Sequence, residues 1–229
     1  MRAREERPVT VGNAHPSGQD GSRTLWRLAL LAIVLLAFGL RAYRLDFQSL
    51  WSDEGISLQR AQLALPAMLD AMPVEHMPGY FALLNGWVRA AGQSDFALRF
   101  LSLWASVLAV ALIYRLARLL GAGEARGTLT APVGTVAALL LATNAFQLWY
   151  AQEARMYSWL LATALVSALA LWQLVVRRGN GWLWGGVYAV ATAWCVYLHL
   201  YGALVPLAQI LFVVGWSIAT RDGRGFGRW

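Results

Sequence analysis

The sequence predicts an all-α fold: a polytopic transmembrane helix bundle of about six spans, with two interfacial amphipathic helices in a long first outer loop. Three observations carry that expectation. Of 229 residues, 59% are hydrophobic and 14% charged, whereas soluble domains run near 45–50% and about 25%. Apolar runs close to the roughly 20 residues that cross the hydrocarbon recur along the chain. Twelve residues are Trp, a side chain that favours the membrane interface, where its ring is buried and its N–H stays wet.

Residues 1–23 are polar and read as a disordered cytoplasmic tail. The apolar run that follows has no small-residue cleavage pattern, so it reads as a span and not a signal peptide. The expected spans are Leu25–Tyr43, Phe96–Leu120, Ala131–Tyr150, Met156–Val176, Trp182–Leu200 and Tyr201–Ala219, within a membrane domain over 24–220. A tight turn at His199-Leu200-Tyr201-Gly202 separates the last two. Residues 221–229 read as a cytoplasmic end. All the basic side chains behind the formal charge of +7 are Arg, scattered between apolar runs. That pattern argues for orientation and against nucleic acid. Arg is about twice as frequent on the connections that include residues 2–27, 115–126, 177–178 and 221–228 as on the others. The positive-inside rule then puts the N-terminus in the cytoplasm. Asp46, Asp53, Glu54, Asp70, Glu75, Asp95 and Glu153 fall outside. The single Cys195 excludes an internal disulfide and reads as a small apolar residue.

The outer loop over 44–95 is long and too apolar for disorder. Leu58, Ala61, Leu65, Met68 and Met72 repeat at helical spacing, with a break at Pro66. Tyr80, Leu84 and Trp87 mark a second helical stretch. Both stretches suit the interface plane, apolar side down, or packing against the bundle. Ser94 reads as the N-cap of the second span.

Two charged groups stand out. Asp53 and Glu54 are adjacent, and each raises the other's pKa unless a partner compensates. They form either a base-bearing site beside Trp51 or a solvated acidic pair. Glu153 and Arg155, flanked by Tyr150 and Tyr157, sit between spans three and four. That position is costly for charge unless it is paired or used: Arg155 suits a phosphate and Glu153 a metal or a sugar hydroxyl. His76 and His199 are outer-side imidazoles able to join a carboxylate on a metal. Asn144 lies inside span three and serves either helix packing or a site.

Three segments together resemble a family. Arg44-Leu-Asp-Phe-Gln-Ser-Leu-Trp-Ser-Asp-Glu-Gly-Ile-Ser-Leu58 is similar to the first outer loop of GT-C superfamily glycosyltransferases. His76-Met-Pro-Gly-Tyr-Phe-Ala-Leu-Leu84 with Ser94-Asp-Phe-Ala-Leu-Arg-Phe-Leu-Ser102 resembles their His/Lys-Pro-Pro stretch and the start of the second span. Ala151-Gln-Glu-Ala-Arg-Met-Tyr-Ser158 resembles their second acidic motif. The dolichyl-phosphate-mannose–protein mannosyltransferase-like group, with its bacterial lipid A and cell-envelope members, is the nearest in pattern. Its members carry more than six spans, so the chain is expected to be an N-terminal part.

The resemblance implies inverting transfer of a sugar from a polyprenyl-phosphate donor to a hydroxyl on a lipid, glycan or protein. The site would face outward from a bacterial cytoplasmic membrane. Asp53 would be the general base with Glu54 beside it. Glu153, Arg155, Arg99, Tyr157 and His76 would bind donor phosphate or substrate. Glu153 and His199 are the candidate ligands of a divalent metal. Two other expectations stay open, a transporter or flippase of lipid-linked glycans and an inactive assembly partner.

Overall fold

The computed structural model describes residues 17–73, 76–121, 130–177 and 179–221. The expected tail up to residue 16, Glu75, Arg126, Arg178 and the expected cytoplasmic end from residue 222 lie outside them. The described residues form helices and no strand: α1 (Ser17–Ala42), α2 (Ser52–Gln62), α3 (Leu65–Asp70), α4 (Gly79–Ala91), α5 (Asp95–Gly121), α6 (Thr130–Thr143), α7 (Ala145–Ala151), α8 (Tyr157–Val175), α9 (Gly181–Leu198), a 3₁₀ turn (Leu200–Ala203) and α10 (Leu204–Arg221). Helix α1 starts at Ser17, inside the expected tail, because extending a nucleated helix adds one hydrogen bond per residue fixed.

Four helical segments are long and apolar enough to cross a membrane: Thr24–Ala42, Asp95–Gly121, Tyr157–Val175 and Leu200–Ala219. The pair α6–α7 makes a fifth if counted as one span bent by 59°. Helix α9 falls outside this set, since its Gly, Trp and Tyr residues dilute its aliphatic ones. The third expected span is therefore broken. Asn144 adopts an extended conformation there and its side chain accepts from Gln147 N–H at 3.0 Å, capping α7.

Helix α5 is the axis of the bundle. On one side Val110 and Tyr114 pack with Ile33, Ala37, Ala138 and Ala142 of α1 and α6. On the other, Ala105 and Ala109 meet Ala162 and Leu165 of α8, small residues that let helices approach closely. Between α8, α9 and α10, Ser167, Thr192 and Gln209 form a hydrogen-bonded set at 2.8–2.9 Å.

The segment after α1 forms three helices where two stretches were expected. The first stretch ends at Leu63, and Pro66 sits in the opening turn of α3, where its missing N–H costs nothing. Of the expected stripe, Ala61 and Met68 are buried and Leu65 is exposed. The buried residues join Tyr80, Phe81, Leu84 and Val88 of α4, Leu98 and Leu101 of α5, and Ala154, Met156 and Leu198 in one cluster. This cap closes one end of the bundle, called here the loop end. Gly79 brings α4 against α9: a Cβ there would lie 2.5 Å from the Tyr197 carbonyl oxygen.

Candidate active site

Helix α2 begins at the loop end with Ser52, Asp53 and Glu54 in its first turn, where the helix dipole favours carboxylates. Successive helical residues point about 100° apart. The two acids therefore face different surroundings. Glu54 turns inward and is fully buried, while the Asp53 side chain is 40% exposed.

Glu54 is saturated. Arg99, from the first turn and a half of α5, grips it bidentately, Nε to Oε1 at 2.9 Å and Nη2 to Oε2 at 2.7 Å. The Ala154 N–H donates to Oε1 at 2.8 Å. The Trp51 N–H reaches Oε2 at 3.4 Å, the returning half of a capping box. Arg99 spends its remaining donors on the carbonyls of Leu45, Gln48 and Ser49. One ion pair thus ties the chain after α1, the start of α2, α5 and the α7–α8 connection into a unit. In this geometry the Glu54 oxygens accept from Arg99, Ala154 and Trp51, and every Arg99 N–H group is directed at an acceptor within the protein.

Asp53 and Arg155 meet at the rim of this unit, with Oδ2 and Nη1 3.3 Å apart. Arg155 is mostly buried. Its guanidinium lies 5.9 Å from the Tyr157 ring, its carbonyl accepts from Ser102 Oγ at 3.0 Å, and its Nε is buried without a partner. A cleft of about 840 Å³ opens beside it, lined by Glu54, Arg99, Glu153, Arg155 and Tyr157 with the aromatic faces of Trp51, Trp149 and Tyr150. Asp53 stands at the margin of this cleft through its pair with Arg155. Burial pushes the Glu153 carboxyl above its ordinary range; a hydrogen bond from the Trp149 side chain opposes this, Glu54 adds to it, Arg155 opposes it and Asp53 adds to it.

His76 and His199 lie outside the lining of this cleft. The Nδ1 of His199 accepts from Tyr201 N–H at 3.1 Å, capping the 3₁₀ turn. Burial lowers its pKa, and the nearby charges of Arg155 and His76 lower it further. His76 packs edge-on against Phe81 at 6.2 Å. Among the described residues no three His, Cys, Asp or Glu side chains gather to hold a metal. Glu153 and His199 do not fit one either, since the His199 Nδ1 is committed to Tyr201 and the Arg155 cation lies close to both.

Of the sequence-predicted residues, Asp53, Glu54, Arg99, Glu153, Arg155 and Tyr157 come together, and His76 and His199 flank them. Three residues were missed. Arg41, fully buried, donates to Ser106 Oγ at 2.8 Å and to the carbonyls of Leu141 and Ala142, the orphan groups at the end of α6. Gln152 donates to the carbonyls of Arg41 and Tyr43. Tyr80 is fully buried, its hydroxyl beside Ser102 and within the field of Arg155. Arg41 counted only toward orientation, and its place at the end of an apolar run was the available signal. Tyr80 stood in an apolar stripe, where only its hydroxyl hinted at a polar neighbour. No family model, curated protein or solved structure matches the chain.

Proposed function

We propose that the chain is the catalytic part of a membrane glycosyltransferase that moves a sugar from a polyprenyl-phosphate donor to an acceptor hydroxyl. The observation that carries this is the Asp53–Arg155 pair: a partly exposed carboxylate and a cation with spare donors, brought from segments about a hundred residues apart to 3.3 Å beside an aromatic, acid-lined cleft. In this reading Asp53 takes the proton of the acceptor hydroxyl. The acceptor oxygen bonds to the anomeric carbon from the face opposite the phosphate, and the carbon–oxygen bond to phosphate breaks. The leaving phosphate needs no proton, so one carboxylate base suffices. What it needs is positive charge, which Arg155 supplies. Glu54 and Arg99 are positioning residues. Trp51, Trp149 and Tyr150 offer faces for the sugar, and Glu153 a hydrogen-bonding partner for its hydroxyls.

The finer topology belongs to the same proposal. Helix α9 completes six spans, the N-terminus is cytoplasmic, and the loop end faces outward from a bacterial inner membrane. Helices α2 and α3 and the link between them expose Ile56, Leu63, Leu65 and Leu69, which suits the membrane interface. The test is transfer from a radiolabelled polyprenyl-phosphate sugar in membranes carrying the chain. Asp53→Asn is expected to lower turnover by at least about 10²-fold with unchanged melting. Near-normal turnover in that variant would remove Asp53 as the base. A flippase is the second reading, favoured by the broken span at Asn144. Translocation of a fluorescent lipid-linked sugar that survives Asp53→Asn would support it instead.

A further inference from the structure

The third apolar stretch breaks at Asn144, and a break inside a span frees carbonyls that lipid cannot satisfy. In a continuous helix the carbonyls of Leu141 and Ala142 would accept from the N–H groups of residues 145 and 146. Here they accept from Arg41, Nη2 to Leu141 at 3.2 Å and Nη1 to Ala142 at 2.9 Å. Nη1 also reaches the Ala37 carbonyl, and Nε is anchored on Ser106 Oγ. The side chain is fully buried, and among the described residues no carboxylate pairs with it. Its charge is met by carbonyl dipoles, chiefly the negative C-terminal end of α6. Straightening the stretch would return those carbonyls to the backbone and strip a buried cation of its acceptors, which is costly inside a membrane. Arg41 therefore favours the bend.

The end of α1 is capped from α7 in turn. Gln152, directly after α7, donates through Nε2 to the carbonyls of Arg41 at 3.2 Å and Tyr43 at 2.9 Å, orphan groups at a helix end. Packing contributes little to this arrangement: Ala151 is the buried residue of α7, while Phe146 and Trp149 are exposed. Both partners of the exchange line the aromatic cleft. Leu40, Tyr43 and Arg44 come from the end of α1 and the residues after it, and Leu148, Trp149 and Tyr150 come from α7.

We propose that Arg41 and Gln152 are positioning residues that clamp α7 in place as a hinged wall of the cleft, with the hinge at Asn144. A helix of seven residues is about 10 Å long, so loss of the 59° bend would carry its far end about 10 Å. Glu153 and Arg155 follow directly on that far end. The clamp thereby also sets where they stand relative to Asp53. The hinge and the clamp rest on the hydrogen bonds; their consequence for transfer rests on the glycosyltransferase reading.

The test is a distance measurement by pulsed electron paramagnetic resonance on the full chain in lipid nanodiscs. Nitroxides on Trp149→Cys and Leu120→Cys, exposed positions on α7 and at the far end of α5, report the wall against the bundle axis in a Cys195→Ala background. With the clamp intact a single distance is expected. Gln152→Leu and Arg41→Met are each expected to add a second population displaced by several ångströms, and Arg41→Lys, which keeps the charge and a donor, a smaller one. Asn144→Leu alone is expected to keep the single distance, because it removes the α7 cap and leaves the clamp. The wild-type distribution in Gln152→Leu, and in Arg41→Met where that variant folds, overturns the proposal. A displacement in Asn144→Leu as large as theirs does so too, since the bend would then be a local property of residue 144. In unlabelled chain, Gln152→Leu is expected to lower kcat for sugar transfer by about 10²-fold, as small misplacements of catalytic groups do. Gln209→Leu, which removes a buried hydrogen bond away from the cleft, is expected to leave kcat unchanged. An equal loss in both variants would reduce Gln152 to a stability role and overturn its positioning. A displaced wall in a chain whose wild type transfers no sugar would sink the transferase reading alone.

Discussion

Replacing Glu54 by Gln keeps its shape and removes its charge, so it isolates the ion pair at the centre of the loop end. Arg99 would remain buried, with its Nε and Nη2 facing an amide that can accept at only one of its two ends. Breaking a buried pair in this way costs about 3–5 kcal/mol, a large share of a typical domain stability of about 5–15 kcal/mol. Arg99→Met should cost more. It strands the Glu54 carboxylate and also strips donors from the carbonyls of Leu45, Gln48 and Ser49, bonds that contribute about 1 kcal/mol each. The double variant Glu54→Gln/Arg99→Met leaves no buried charge at this pair. It should lie close to Arg99→Met alone or above it in stability, with a residual loss of about 3 kcal/mol from the three carbonyls. The assay is a double-mutant cycle by reversible unfolding of the chain in mixed detergent micelles. Losses that add to within about 0.5 kcal/mol would mean the two side chains act independently and would refute the argument. So would a loss below about 1 kcal/mol for Glu54→Gln.

Burial raises the Glu153 pKa above its unfolded value, so the group's contribution to stability is fully present below the ordinary Glu range and is lost as pH rises through the folded pKa. Glu153→Gln should therefore be more stable than the wild type at neutral pH and equal to it near pH 4; thermal melting across pH checks this, and a pH-independent difference would contradict it. Gly79→Ala puts a Cβ 2.5 Å from the Tyr197 carbonyl oxygen, backbone against backbone, and should cost about 1–3 kcal/mol. An unchanged melting temperature would show that α4 can shift freely on α9. Gln209→Leu removes the α10 member of the Ser167–Thr192–Gln209 set and should cost roughly 0.6–1.7 kcal/mol in unfolding, while a gain in stability would mean that α10 is held by packing alone.

The helical class and most of the apolar segments were legible because they rest on periodicity and length, which one strand of sequence carries in full. Asn144 shows where that reading stopped. Its neighbours are apolar enough to hide a break, and only a polar side chain able to cap its own backbone marks the bend. Helix α9 marks another limit: its Trp, Tyr and Gly residues lower its hydropathy, and the fifth expected span is not among the helices long and apolar enough to cross a membrane. Arg41 and Arg99 were harder still. A buried Arg looks like any other Arg until its acceptors are known, and here most of them are backbone carbonyls from segments distant in the chain, which no side-chain pattern records.

The acidic pair makes the same point from the other direction. Adjacent carboxylates suggest shared work, but adjacency in a helix means divergence. The 100° between residues sends Glu54 to Arg99 and Asp53 to Arg155. Each acid thereby gains a cation. One cation is spent completely on holding the loop end together, and the other keeps donors in reserve. A fully satisfied pair resists rearrangement, because opening it leaves charge buried. A pair held by one long contact at a partly exposed carboxylate, with an unpartnered Nε beside it, opens at lower cost. The rigidity of the first pair is what lets the second be loose, since the Ala154 N–H bonded to Glu54 fixes the backbone from which Arg155 extends.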